Sequence, residues 1–276
     1  MKKEKDPRYA HDDLPPVKNV FLYAFRCVFK IVMIAYFGSS SFLLSLLVFP
    51  IFRILFRKNF TVKARACVKF TFWYFIKFIQ LVRLSSFSLQ GKEILNNATS
   101  KIIVANHPSI LDVVYLIAVV PNADCIVRGG LMSSPMAGVI RNLYIVNTIG
   151  VDEMLEKSTE SLKKGANLII FPEGTRTPRH GLNPYKRGAA RIALKAQSDV
   201  IPVYFGGNDK YGIGKHDPFF SYNHSGKCYH YDIRVLDTIK IQDYASLEPQ
   251  IAARHLTEEM HRRIAAKALE VDKRIL

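Results

Sequence analysis

The chain has 276 residues, 49% of them hydrophobic, with a formal net charge of +16 and four cysteines. That length holds one good-sized domain plus an appendage. Cys27, Cys67, Cys125 and Cys228 are widely spaced with no CxxC pair, which argues against a disulfide framework and reads as reduced, mostly structural thiols.

The basic excess is concentrated. Residues 1–13 hold four basic and four acidic residues and cancel. Residues 14–92 hold twelve basic residues and no Asp or Glu, whereas residues 93–276 hold 23 basic against 19 acidic. The charge therefore sits in the most apolar part of the chain. A nucleic-acid binder carries it on a polar face or on a base-reading helix, so nucleic acid is not expected as a partner. Lys and Arg among Phe, Trp, Tyr, Ile and Leu suit an anionic lipid surface, where stems and rings enter the interface and charges meet headgroups. No signal peptide is expected, because acids precede the apolar run and no small-residue cleavage site follows it.

Residues 31–52 carry no charge, a run long enough to cross a bilayer, which takes about 20 apolar residues. Gly38-Ser39-Ser40-Ser41 and Pro50 interrupt it, and basic residues flank both ends, so charge gives no orientation. A helical hairpin dipping into one leaflet fits both details; a single span is the other reading. Residues 61–88, with Lys69, Lys77 and Arg83 recurring among aromatics, read as an interfacial amphipathic helix. The expected division is a polar tail over 1–20, a membrane-associated two-helix motif over 21–90, and a catalytic domain over 91–276.

Beyond Gly91, short β-rich runs alternate with helical stretches. Strands are expected at 102–105, 167–171, 200–205 and 229–235. Helices are expected at 111–120, with Ser109 near the N-cap, at 188–196, and at 248–275 with Leu256, Met260 and Ile264 on one face. This pattern predicts an α/β fold with a mixed, partly parallel sheet flanked by helices.

Two turns carry the chemistry. Residues 101–112, KIIVANHPSILD, put His107 in a strand-to-helix turn five positions before Asp112. Such a junction brings the carboxylate within reach of one imidazole nitrogen and leaves the other to take a proton. Residues 168–176, LIIFPEGTR, end a second apolar run in a turn whose Gly174 lets backbone approach a ligand and whose Arg176 can hold a phosphate bidentately. Lys186 and Arg187 precede a helix start at Gly188, where free N–H groups favour anions. His216, His224, Cys228 and His230 lack the tight paired spacing of a zinc site, and Gly212-Ile213-Gly214 lacks the context of a dinucleotide site. No metal is expected.

NHPSILD and FPEGTR resemble two motif blocks, NHxxxxD and FPEGTR, of the glycerolipid acyltransferase family that includes 1-acylglycerol-3-phosphate acyltransferases. VIPVYF at 200–205 and KRGAARIA at 186–193 resemble further blocks, and the resemblance spans roughly 90–210. The basic, apolar N-terminus is similar to the two-helix motif of bacterial members. The resemblance implies that His107 is the general base, that Asp112 orients it, and that the hydroxyl attacks an acyl thioester directly. It implies that Glu173, Gly174, Thr175 and Arg176, with Asn106, Arg128 and Lys186, bind substrate. It implies a lysophospholipid acceptor, acyl-CoA or acyl carrier protein as co-substrate with no other cofactor, membrane lipids as surroundings, and a bacterial inner membrane with the catalytic domain facing the cytoplasm. One position departs: Asn147 stands where the family's second block ends in an Arg. Arg128 or Arg141 substitutes for it, or the acceptor is a different amphiphile such as an ornithine lipid or a polyene lipid. A non-catalytic lipid-binding relative is the rival from another class.

Overall fold

Two short, largely apolar runs lie side by side at the centre of the sheet, as expected of parallel strands buried on both faces. The computed structural model describes residues 6–272. The runs are β2 (Ile102–Ala105) and β5 (Asn167–Ile170), and every residue in both is buried. With β1 (Ser85–Gln90), β3 (Ala123–Val127), β4 (Ile145–Val146), β6 (Val200–Gly207) and β7 (Tyr229–Val235) they form a seven-stranded sheet of order β1-β7-β6-β2-β5-β3-β4. All neighbours pair in parallel except β6 and β7. The mixed, mostly parallel α/β architecture is the one expected from the alternating pattern.

Strand side chains alternate between two cores. Ile103, Ala105, Ile169, Val203 and Phe205 face one layer, which includes α3 (Phe60–Leu81) and α5 (Asp112–Val119). Ile102, Val104, Leu168, Ile170 and Tyr204 face the other, built from α7 (Val151–Lys163), α8 (Gly188–Ala196) and α9 (Pro249–Val271). Leu256, Met260 and Ile264 of α9 are buried there, matching the face read from their spacing; the expected residues 273–275 lie outside the described residues.

The N-terminal arm differs from its expected form. Helix α1 (Val20–Leu43) runs through Gly38–Ser41 without a break, passes a π-turn at Leu44–Val48 and continues as α2 (Phe49–Leu55). Ser41 Oγ donates to Phe37 O at 2.9 Å and Ser45 Oγ to Phe42 O at 2.8 Å, so the hydroxyls stay satisfied inside the helix. The π-turn precedes Pro50, and its widened turn absorbs the ring. The chain reverses at residues 56–59 instead, and α3 returns along the arm. Val20–Leu55 is long and apolar enough to cross a membrane by length and composition, and Phe21, Phe25, Val28, Leu46, Leu47 and Ile54 are exposed on it. A buried ion pair, Arg65 of α3 to Asp124 of β3 at 2.6 Å, joins arm to sheet.

Two expected boundaries move. Residues 85–88 belong to β1, paired in register with β7, so the amphipathic helix stops at Leu81 and the α/β body starts before residue 91. The edge position of β1 explains why SSFSLQ can be polar. The segment read as a polar tail is also packed: Arg8 donates to Leu182 O at 3.0 Å and Tyr9 Oη to Arg176 O at 2.9 Å.

Candidate active site

Adjacent parallel strands end on one edge of the sheet, and in α/β folds that edge is where ligands meet loops. β2 and β5 pair in register, so the turns that follow them are neighbours although His107 and Glu173 are 66 residues apart. β3 and β4 deliver Arg128 and Asn147 to the same edge, where Asn147 Oδ1 accepts the Gly129 N–H at 3.0 Å.

In the first turn His107 Nδ1 meets Asp112 Oδ2 at 2.8 Å. Asp112 is 0% exposed, and its carboxylate also accepts Ser109 N–H at 2.7 Å and Ser109 Oγ–H at 2.6 Å. A carboxylate only accepts, so Nδ1 carries the proton and Nε2 presents a lone pair. Nε2 has no protein partner among the described residues, and the imidazole remains partly exposed while stacking on Phe171 at 4.2 Å. Ser109 does not cap α5 as expected. Its hydroxyl proton goes to Asp112 and its oxygen accepts Leu111 N–H at 3.2 Å. Tyr231 Oη, 2.9 Å away, therefore donates to Ser109. Burial holds the Tyr231 phenol well above its ordinary pKa, which keeps it a neutral donor. The result is a chain from Tyr231 through Ser109 and Asp112 to His107.

The second turn spends its acid on architecture. Glu173 is 4% exposed. Its Oε1 accepts Thr177 Oγ–H at 2.5 Å and the His107 backbone N–H at 3.2 Å, and its Oε2 accepts Asn183 Nδ2 at 2.7 Å. Thr177 N–H in turn donates to His107 O at 2.7 Å. Burial pushes the Glu173 carboxyl above the usual carboxylate range, against the pull of these donors. Glu173 thus ties the two turns together instead of facing substrate. Asn106 is a second correction of the same kind. Its amide donates to Phe205 O at 2.9 Å and accepts Phe205 N–H at 2.7 Å, which fastens the His107 turn to β6.

The remaining expected residues converge. Gly174 has φ +65°, and a Cβ there would lie 2.8 Å from Lys186 Nζ, so the glycine admits the Lys186 side chain above the turn. Lys186 and Arg128 are exposed, and Thr175 is half-buried. Arg176 donates to Ile213 O at 3.1 Å and to Gly214 O. Burial pulls its guanidinium down from its ordinary value, opposed by Asp217 and Asp112 nearby; a guanidinium stays charged regardless. Arg128 is close enough to Arg176 for their charges to repel. Cations and one free imidazole nitrogen thus share one edge of the sheet.

Residues 86–206 match the Acyltransferase family model, a span that opens in β1 and closes in β6. This segment is similar to the acyltransferase family. The chain is 32% identical over 155 residues to 1-acyl-sn-glycerol-3-phosphate acyltransferase BAT2, chloroplastic, of Brassica napus, covering 54% of this chain and 43% of that protein. It is 29% identical over 127 residues to the human 1-acyl-sn-glycerol-3-phosphate acyltransferase beta, covering 43% and 46%. The chain thus spans less than half the length of these relatives. The crystal structure of the 1-acyl-sn-glycerophosphate acyltransferase PlsC from Thermotoga maritima superposes with a TM-score of 0.66 over 94% of this chain and 99% of that one, at 23% identity. The shared fold therefore includes the helical arm as well as the acyltransferase segment.

Proposed function

We propose that the protein is a membrane-associated O-acyltransferase that esterifies the free hydroxyl of a lysophospholipid, 1-acyl-sn-glycerol 3-phosphate, to give phosphatidic acid. The observation that carries the reading is His107 Nδ1 held 2.8 Å from a wholly buried Asp112, on the sheet edge that also carries Arg176, Arg128 and Lys186. An alcohol is a poor nucleophile at neutral pH, and a positioned base contributes about 10²–10⁴-fold. Nε2 takes the hydroxyl proton as the oxygen attacks the thioester carbonyl. The C–O bond forms, the C–S bond breaks as the intermediate collapses, and the proton passes from the imidazolium to the departing thiolate. Asp112 stabilises the imidazolium in between. Arg176, Arg128 and Lys186 hold the acceptor's phosphate.

The donor is an acyl-CoA or an acyl carrier protein. Both are acidic, which suits the basic rim, and both come from the cytoplasm, which suits a catalytic edge on the cytoplasmic face of a bacterial inner membrane. The exposed apolar surface of Val20–Leu55 and of Phe70, Trp73, Tyr74 and Leu81 on α3 seats the arm in lipid. Asn147 favours one second reading, in which the acceptor lacks the phosphate contact that an Arg there supplies. The test is purified protein with acyl-CoA and acyl carrier protein donors against a panel of lyso-lipids, including an ornithine lyso-lipid, with products read by mass spectrometry. Phosphatidic acid as the dominant product supports the reading. Acylation of only a non-phosphate acceptor overturns the substrate, and no thioester release with any acceptor overturns the activity.

A further inference from the structure

The guanidinium of Arg176 is placed by backbone carbonyls, not by a carboxylate. Ile213 O and Gly214 O accept from its Nη1, and Ile213 O also accepts Ile110 N–H, on the His107 turn, at 3.1 Å. One peptide oxygen therefore sets Arg176 relative to the base. Both carbonyls lie in residues 208–228, a segment between β6 and β7 with no helix or strand of its own, so its shape depends on what grips it.

Two side chains grip it. Asp217 Oδ2 accepts the N–H of Gly212 at 2.8 Å and of Gly214 at 2.7 Å. Lys30 of α1, 5% exposed, donates to Gly212 O at 2.8 Å, Phe219 O at 2.8 Å and Ser221 O at 2.5 Å. All three ammonium protons are thereby used on the segment that carries the Arg176 acceptors. Gly212 has φ +96°, and a Cβ there would run into Ser221 O, so the backbone folds back tightly around the ammonium. A buried ammonium is expensive, and an apolar residue would hold a helix against a loop at lower cost. What the ammonium adds is direction: it fixes the Gly212 peptide, one residue before the carbonyls that hold Arg176.

We propose that Lys30 is a positioning residue for Arg176, so that the membrane arm, through the 212–221 backbone, sets the cation that receives the acceptor's phosphate. The proposal rests on the acyltransferase reading for its substrate, and one of its two tests is independent of activity. In the full-length protein in detergent micelles, Arg176 is labelled with phenylglyoxal and quantified by peptide mass spectrometry against exposed Arg128. Lys30→Met raises the Arg176 labelling rate several-fold while Arg128 is unchanged, and Lys30→Arg returns it toward the parental rate. With lysophosphatidic acid, Lys30→Met raises the acceptor KM about tenfold, on the scale of one lost charge-assisted contact, while kcat and donor KM hold. In an Arg176→Ala background the same change adds nothing further, because both act through one group. Should Lys30→Met fail to fold, Lys30→Gln, which keeps two donors, takes its place. Unchanged labelling of Arg176 overturns the proposal whatever the enzyme's substrate. A KM rise of equal size with and without Arg176 overturns it as well. Absence of turnover in the parental protein overturns the activity reading and leaves the labelling result to decide on Lys30.

Discussion

The turns after β2 and β5 are built alike and used differently. Each ends a fully buried strand, and each sets a carboxylate beneath the surface. Asp112 directs its oxygens at a side chain that reaches outward, His107. Glu173 directs its oxygens at Thr177, Asn183 and the His107 backbone, and meets no outward-facing group among its hydrogen-bond partners. A buried acid acquires its role from the donors around it. The first acid serves proton transfer, the second holds the scaffold that carries it, and substitutions should separate the two.

The largest effect is expected at Asp112. Asp112→Asn removes the charge that stabilises the imidazolium and puts an NH2 donor in place of one acceptor oxygen, so the Nδ1–H tautomer is no longer enforced and turnover falls about 10²–10³-fold with little change in acceptor KM. A KM-dominated defect in steady-state assays would place Asp112 with the scaffold and erase the contrast. Glu173→Ala should behave otherwise. It strands the Thr177 hydroxyl proton, costing about 1–3 kcal/mol, and leaves His107 N–H to Thr177 Oγ and Asn183 Nδ2 to Arg176 O, so thermal stability and turnover fall together; a turnover loss with unchanged melting would make Glu173 a substrate contact after all. Arg176→Lys keeps the charge but loses the planar fork, and the KM for a phosphate-bearing acceptor rises about tenfold with kcat retained. The smallest effect is at Gly174. Gly174→Ala meets a left-handed φ of +65° and the Lys186 side chain, costing about 1–2 kcal/mol in denaturant unfolding. A neutral result would mean that the turn relaxes freely. Asn147→Arg sharpens the comparison from the acceptor side: a lower KM for lysophosphatidic acid locates position 147 at the phosphate, and an unchanged KM removes it from the site.

What could be read in the sequence follows from how local the signal was. β2, β5 and β6 are strongly apolar runs bounded by polar turns, β7 alternates, and all four are read near their observed limits. The His107–Asp112 contact is readable because a strand-to-helix turn fixes both ends. β1 is hidden because a polar edge strand follows an aromatic helix with only residues 82–84 between them. β3 is obscured because only Pro121-Asn122 parts it from the apolar α5 and Asp124 breaks its own short run, and β4 has only two residues. The roles of Ser109, Tyr231, Asn183 and Ile213 O arise from pairings across 122 and 10 residues or from backbone oxygens, and no periodicity encodes those. Asn106 and Glu173 stand in motif blocks yet turn inward, because a motif records which residues are needed and not which way they face.

The central claim is that the imidazole of His107 draws the proton from a lipid hydroxyl. It is tested most directly by measuring acyl transfer from an acyl thioester to 1-acyl-sn-glycerol 3-phosphate with the full-length protein and with His107→Ala, alongside acceptor binding and melting temperature. The account predicts a fall of about 10²–10⁴-fold in turnover with binding and melting preserved. Transfer at the parental rate by His107→Ala would contradict it.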